Sequence, residues 1–169
     1  MTFTTRFAAG LALALAMLAP LAQAAEPAVI FVVRHGEKTG NDGDPDLTAQ
    51  GRIRAANIAT ILKQAGIRQV FTSKTARTRQ TAAPTAALLG VPVKEYDARQ
   101  PEKMAEELKG GGANTLVVGH SNTIGKLVTL LGGDAGTAVG DDEYDRLYQL
   151  VVGRDGSVTT ILLSSPPGS

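Results

Sequence analysis

A short apolar run that ends in charged side chains constrains the fold of this chain more than any other feature. Residues 29–33 (VIFVV) are β-branched or aromatic, and Arg-His-Gly-Glu follows directly at residues 34–37. Such a run predicts a buried strand that delivers reactive side chains to its carboxyl end. The second of the chain's two histidines, His120, also follows an apolar strand, at residues 115–119. The sequence therefore predicts that His35 and His120 lie at the same edge of one sheet.

The first 24 residues are predicted to be a secretory signal peptide. Arg6 precedes a Leu/Ala-rich run at residues 11–18, and Ala-Gln-Ala at residues 22–24 has the A-x-A form of a cleavage site. The apolar run is short for a membrane-spanning helix, so we expect no stable membrane insertion, with a retained N-terminal anchor as the alternative. The predicted location of the mature protein is the periplasm or the exterior.

Composition excludes several classes of function. The chain has no cysteine, which rules out disulfides, thiol catalysis and thiolate metal sites. A formal net charge of +1 without a long basic run argues against nucleic acid and anionic membrane surfaces as partners. Tryptophan is absent, so a surface of stacked aromatic rings is not expected. The Asp-rich stretch at residues 42–46 lacks the glycine and glutamate of an EF-hand loop and is predicted to be a solvated turn.

Predicted strands and helices alternate along the rest of the chain. The strands are residues 29–33, 68–72, 91–94, 115–119, 147–152 and 158–163. The helices are residues 48–65, 73–89, 101–109 and 121–131. Pro84 is expected to kink or restart the second helix, and Pro92 places the third strand near an edge. The order predicts a three-layer α/β/α fold with a mostly parallel central sheet and a C-terminal antiparallel hairpin, in one domain over residues 25–163 with a disordered tail at 164–169.

Basic side chains and helix N-termini are predicted to converge on the two histidines. Arg77 lies in the first turn of a helix that follows a strand, and Ser121 starts a helix directly after His120. Ligands of open α/β sheets bind outside the carboxyl ends of the strands, and helix N-termini and guanidinium groups suit phosphate. We therefore predict a phosphate site made of Arg34, His35, Arg77, His120 and Ser121.

The predicted site supports phosphoryl transfer to a histidine. A neutral imidazole can attack phosphorus when its other ring nitrogen is held by a hydrogen bond. Positioning and electrostatic stabilisation would do most of the remaining work, so neither a metal nor a cofactor is called for. A metal site built from His35, Glu37, His120 and Asp97 is the alternative, but the adjacent arginines would repel a cation.

Four motifs occur in a fixed order along the chain. They are Arg-His-Gly-Glu at 34–37, Leu-Thr-x-x-Gly at 47–51, Ser-x-x-x-Arg-x-x-Gln-Thr-Ala at 73–82 and Gly-His-Ser-Asn-Thr at 119–123. Together they resemble the histidine phosphatase superfamily, also called phosphoglycerate mutase-like, over nearly all of the mature chain. The resemblance implies that His35 is the phosphorylated nucleophile and that Arg34, Arg77 and His120 surround the phosphoryl group.

The chain departs from this family at the proton donor. Many members carry a glutamate after the third strand, and here the segment 95–102 lacks the usual surrounding pattern. Asp97 is the predicted acid, Glu102 and Glu37 are alternatives, and a site without a dedicated acid is a further possibility. A leaving group that departs readily, such as a phosphoramidate or an acyl phosphate, would need less protonation.

The sequence thus predicts an exported, metal-independent phosphatase that hydrolyses phosphomonoesters through a phosphohistidine at His35. The alternatives are a phosphoglycerate mutase-type phosphoryl transferase and a non-catalytic phosphate- or phosphoglycan-binding module. Phosphorylated small molecules, envelope glycans and phosphoproteins are all possible partners. The sequence does not predict an oligomeric state.

Overall fold

The computed structural model describes residues 27–167, so the predicted signal peptide and the last two residues lie outside the described part of the chain. The strands are β1 (Ala28–Arg34), β2 (Gln69–Thr72), β3 (Val93–Glu95), β4 (Thr115–Gly119), β5 (Arg146–Val152) and β6 (Val158–Ser164). The helices are α1 (Ala49–Leu62), α2 (Ala76–Leu89), α3 (Pro101–Gly111) and α4 (Ser121–Leu130). None of the helices within residues 27–167 has the length and apolar character needed to cross a bilayer.

The strands form one sheet in the order β3-β2-β4-β1-β5-β6. The four strands from β3 to β1 pair in parallel, whereas β5 pairs antiparallel with both β1 and β6. The predicted mostly parallel sheet with a C-terminal antiparallel hairpin is therefore confirmed. The third strand lies at the edge of the sheet, as Pro92 indicated, because a proline cannot donate to a ladder.

The two faces of the sheet are covered by different pairs of helices. Ile30 and Val32 of β1 face a core formed with α3 and α4, while Phe31 and Val33 face a core formed with α1 and α2. This alternation follows from the two-residue period of a strand, whose successive side chains point to opposite faces. The central strands are buried on both sides, which explains why their sequences are continuous apolar runs. The three-layer arrangement is confirmed.

Helix α2 is a single element through Pro84, so the predicted restart does not occur. Pro84 cannot donate the usual backbone hydrogen bond, but Ala82 and Ala86 on either side of it are buried against the sheet. Packing of this face holds the helix together across the missing donor.

The predicted disordered tail was placed too early. β6 extends to Ser164, and Ser165 is only 2% exposed. The Ser165 carbonyl and hydroxyl oxygens accept hydrogen bonds from Nη1 of Arg54 at 2.9 and 3.0 Å, and its backbone N–H donates to the carbonyl of Asp145 at 2.7 Å. A polar, proline-containing segment looks disordered by composition, but these contacts fix its first residues.

Candidate active site

The sheet order brings His35 and His120 together. β1 and β4 are neighbouring parallel strands, and Arg34 at the end of β1 is in register with Gly119 at the end of β4. The residues that follow are the two histidines, whose ring centroids lie 5.4 Å apart. β2 lies on the other side of β4, so the segment that leads from it into α2, beginning at Ser73, reaches the same edge. We call the space bounded by Arg34, His35, Arg77 and His120 the histidine pocket.

His35 is held as a neutral imidazole with one free nitrogen. Its side chain is buried, and Nδ1 lies 2.7 Å from the carbonyl oxygen of Gly36. Because a carbonyl only accepts, Nδ1 carries the proton and Nε2 has a free lone pair. Burial lowers the pKa of His35 to about 3, and the positive charges of Arg34 and Arg77 also lower it. This is the protonation state that a nucleophilic histidine needs.

His120 is held in the opposite tautomer. Its Nδ1 lies 3.5 Å from Nη2 of Arg77, a group that can only donate, so Nδ1 is the acceptor. The proton must then be on Nε2, which lies 2.8 Å from Oγ of Ser73. Burial, followed by Arg77 and Arg34, lowers the pKa of His120 to about 4. Ser73, the first residue of the motif at 73–82, thus orients the second histidine.

Arg34 is fixed by the segment that leads into β5. Its Nη1 donates to the carbonyl oxygens of Gly140 and Glu143, each at 2.8 Å, and its guanidinium lies 4.0 Å from the ring centroid of Tyr144. The buried Nε has no hydrogen-bond partner among the residues that the structure describes. An arginine held through one nitrogen keeps the remaining N–H groups for an anion. Tyr144 is also 6.0 Å from His35, ring to ring, a position that its sequence context did not indicate.

Arg77 already has a carboxylate beside it. Nη1 of Arg77 lies 3.3 Å from Oδ1 of Asp44, and both carboxylate oxygens of Asp44 accept the backbone N–H of Ala76 at 2.9 Å, in the first turn of α2. A carboxylate at a helix N-terminus is favoured by the same dipole that favours phosphate. Asp44 comes from the stretch that the sequence assigned to a solvated turn, and only its contact with α2 reveals that it borders the histidine pocket.

Each of the three predicted acids is paired with a cation. Both carboxylate oxygens of Asp97 accept hydrogen bonds from Arg99, and these bonds lower the pKa of the carboxyl group. Glu102 pairs with Lys126 at 2.6 Å, which likewise lowers its pKa. A carboxylate stabilised in this way is a poor proton donor. Asp97 does line an open cleft that it shares with Ser73 and His120, but as an ionised group.

Glu37 forms a largely buried ion pair with Arg54 of α1. It is bonded through both oxygens by Nε of Arg54, at 3.0 and 3.1 Å, and Nη2 of the same arginine approaches Oε1 at 2.6 Å. Both side chains are largely buried. The pair ties the residue two positions after His35 to α1. Within residues 27–167 no group of three or more His, Asp or Glu side chains is arranged to hold a metal ion.

Ser121 lies beside a different cleft. It starts α4 directly after His120, but its neighbours are Asn122 and Lys126 of the same helix and the facing segment 135–139. Ser121 is not among the residues that line the cleft with His120 and Ser73. Its predicted contact with phosphate stays a prediction.

The remaining motif residues hold the loop that follows His35. Thr81 Oγ1 accepts the backbone N–H of Gly36 at 2.9 Å, and Gln80 Oε1 accepts that of Leu47 at 2.8 Å. Gly36 and Gly51 touch through their backbones, and a Cβ added to Gly51 would lie 2.3 Å from the carbonyl oxygen of Glu37. The glycines and the Gln-Thr pair are thus needed to pack the loop against α1 and α2.

Comparison with known proteins agrees with this geometry. The family model described as the histidine phosphatase superfamily, branch 1, matches residues 30–100, which include Arg34, His35 and Arg77. Over these residues the chain resembles the histidine phosphatase superfamily in sequence. The probable phosphoglycerate mutase GpmB of Escherichia coli is 35% identical over 80 residues, which are 43% of this chain. The chain spans only 37% of the length of that curated relative.

Solved structures of several phosphatases share the fold over most of the chain. The protein histidine phosphatase SixA, solved with tungstate, superposes with a TM-score of 0.65 at 21% identity and covers 81% of this chain and 97% of its own. A putative alpha-ribazole-5'-P phosphatase from Escherichia coli gives 0.66 at 17% identity, over 81% and 96%. A mycobacterial glucosyl-3-phosphoglycerate phosphatase gives 0.63 at 17% identity, over 82% and 98%.

Because both histidines are neutral in the folded protein, its stability is expected to depend on pH. Unfolded histidines take up protons near pH 6.5, whereas folded His35 and His120 do so only near pH 3 and 4. Between these values the unfolded state binds more protons, so the free energy of unfolding is expected to fall as the pH falls, by at most about 1.4 kcal/mol per pH unit for each group. Urea unfolding between pH 7 and pH 5 measures this slope.

A His35→Asn variant is the control for that experiment, because it removes one of the two groups and keeps a polar side chain. Its slope between pH 6.5 and 5, above the titration of most carboxylates, should be about half that of the parent. An unchanged slope would show that His35 does not resist protonation.

Proposed function

We propose that the chain is a metal-independent phosphatase that transfers a phosphoryl group to Nε2 of His35 and then hydrolyses the phosphohistidine. The observation that carries the proposal is the hydrogen bond from Nδ1 of His35 to the Gly36 carbonyl, which leaves Nε2 unprotonated beside two arginines. In the first step the Nε2 lone pair forms a bond to phosphorus while the bond from phosphorus to the leaving group breaks. In the second step water attacks phosphorus and loses a proton to solvent, the P–N bond breaks with its electrons returning to Nε2 of His35, and inorganic phosphate is released.

The cationic groups of the site can carry the charge of the transition state. Arg34 and Arg77 each retain a buried Nε without a partner among the described residues, and phosphoryl transfer depends mainly on positioning and on neutralising the equatorial oxygens. Two guanidinium groups can supply this positive charge without a metal ion. Nε2–H of His120, now directed at Ser73, is a further donor close to His35.

Because the candidate acids are ion-paired, we expect substrates whose leaving group needs protonation to react slowly. Asp97 is held ionised by Arg99, so a departing alkoxide would lack a strong acid there to protonate it. We therefore propose that aryl phosphates, acyl phosphates and phosphoramidates react faster than alkyl phosphates. SixA, a fold neighbour, is named as a protein histidine phosphatase, and phosphohistidine is a phosphoramidate. Phosphorylated small molecules and envelope glycans also remain proposed substrates.

Release of inorganic phosphate from an aryl phosphate, with and without a chelator, tests this proposal. We expect equal turnover in both conditions and a slower reaction of glycerol phosphate. Loss of activity in chelator would overturn metal independence, and equal rates for both esters would overturn the restriction on leaving groups.

A second candidate is a phosphate-binding module without catalysis, which the absence of a free acid among Asp97, Glu102 and Glu37 favours. Phosphate binding without any turnover of the aryl phosphate would support it. The similarity to GpmB keeps a mutase as the other alternative, and return of the phosphoryl group to an acceptor instead of water would identify it.

The location of the protein in the cell follows from the predicted signal peptide. We propose that residues 1–24 are removed during export and that the enzyme acts in the periplasm or outside the cell. Mass determination of the protein recovered from the periplasm of an expressing bacterium tests this, with cleavage after Ala24 as the expected result. An intact N-terminus in the cytoplasm would contradict it.

A further inference from the structure

Arg34 is held in place by a compact segment 106 to 110 residues further along the chain. The Gly140 and Glu143 carbonyl oxygens accept from its Nη1, and the Tyr144 ring lies against its guanidinium plane at 4.0 Å. We call these three groups the Arg34 clamp. The Gly140 and Glu143 carbonyls fix only Nη1 of the guanidinium. Without a further contact, the guanidinium plane could tilt about this nitrogen. The ring supplies the contact that opposes this tilt.

The segment that carries the clamp is itself braced. Arg146 bonds the carboxylate of Glu143 and donates to the Thr137 carbonyl at 2.6 Å, and the Tyr148 hydroxyl donates to the carbonyl of Ala135 at 2.9 Å. Tyr148 is buried in the core. The segment that carries Tyr144 is thus held by contacts within β5 and its approach.

The orientation of the Arg34 guanidinium plane decides which of its free N–H groups can reach a ligand. Arg34 is 4% exposed, and its Nε has no partner among the described residues, which shows that a buried donor is left for a ligand. A guanidinium recognises phosphate through two parallel N–H groups, and a rotated plane presents only one. A buried cation against an aromatic face is also stabilised directly by the ring.

We propose that Tyr144 is a positioning residue that sets the guanidinium plane of Arg34 for binding of the phosphoryl group. This inference rests on the proposed function for the identity of the ligand, but it concerns binding and can be measured without turnover. The effective group is the aromatic ring. The hydroxyl of Tyr144 is not part of the clamp.

Isothermal titration of the full protein with inorganic phosphate tests the role of the ring. Tyr144→Phe keeps the ring and is expected to bind phosphate within about twofold of the parent, whereas Tyr144→Leu should bind about tenfold more weakly, the scale of one lost charge-assisted hydrogen bond between the guanidinium and phosphate. Equal weakening in both variants would overturn the proposal by assigning the effect to the hydroxyl. Unchanged binding in Tyr144→Leu would overturn it as well.

An Arg34→Lys background separates positioning from a general structural effect. A lysine offers a point charge without a plane, so Tyr144→Leu should weaken phosphate binding little further in that background. The same tenfold loss in both backgrounds would show that Tyr144 acts through the fold and would overturn the proposal. If the parent protein binds phosphate but does not hydrolyse an aryl phosphate, the proposed enzyme function is wrong and the proposed role of Tyr144 is unaffected. If the parent protein does not bind phosphate, both proposals are wrong.

Discussion

Replacement of His35 by alanine is expected to lower turnover of an aryl phosphate by about three orders of magnitude or more. The change removes the one nitrogen in the histidine pocket that is both unprotonated and without a hydrogen-bond partner in the described structure, so the P–N bond cannot form. His120 is not expected to substitute for it, because its Nε2 holds a proton directed at Ser73. Steady-state release of phosphate measures the effect.

His120→Asn is the matched variant for this experiment. It removes the neighbouring histidine and leaves the nucleophile, so brief exposure to labelled aryl phosphate should still label the denatured protein through an acid-labile bond. His35→Ala should give no such label. Thermal unfolding of both variants checks that each is folded, and substantial turnover by folded His35→Ala would contradict a phosphohistidine intermediate.

Replacement of Arg54 by methionine is expected to lower the free energy of unfolding by about 3–5 kcal/mol, the cost of leaving one partner of a buried ion pair behind. The side chains of Arg54 and Glu37 are 6% and 14% exposed. Arg54 also bonds the Ser165 carbonyl and hydroxyl, so its loss leaves these buried acceptors short of a donor and releases the end of β6. Urea unfolding at neutral pH measures the change.

Two further variants give this prediction its control. Arg52→Met makes the same substitution at an exposed position of α1 and should change stability by no more than about 0.5 kcal/mol. Adding Glu37→Gln to Arg54→Met removes the unpaired charge and should recover part of the loss. If Arg54→Met were no more destabilising than Arg52→Met, the buried pair would not stabilise the fold.

The fold was predictable because its signals are local. β1 and β4 are unbroken apolar runs that end in a histidine, and buried faces at helical spacing mark α1 and α4. Once these elements are set, the rule that parallel strands share an edge brings His35 and His120 together. Neighbouring positions in the sequence were sufficient for each of these steps.

The parts of the site that sequence reasoning missed depend on distant contacts. Asp44 lies in a loop whose composition indicates only a turn, and it reaches α2 across 32 residues. Tyr144 lies in a segment whose packing on Arg34 no periodicity reveals, and Ser165 is held by Arg54 of α1 and by the Asp145 carbonyl, both more than 15 residues away. The pairing of Asp97 could have been predicted, because Arg99 lies only two positions later and its cation favours the ionised carboxylate.

The Arg34 clamp has a consequence for the order in which the chain is made. A ribosome produces the nucleophile first, but the carbonyls that fix Arg34 follow 106 and 109 residues later, and the contact of Arg54 with Ser165 comes 111 residues after Arg54. A nascent or truncated chain that stops before residue 140 therefore carries His35 and His120 without a formed anion site. If the proposed function holds, phosphoryl transfer requires the segment that leads into the C-terminal hairpin, and a nascent chain is expected to be inactive until that segment has been made.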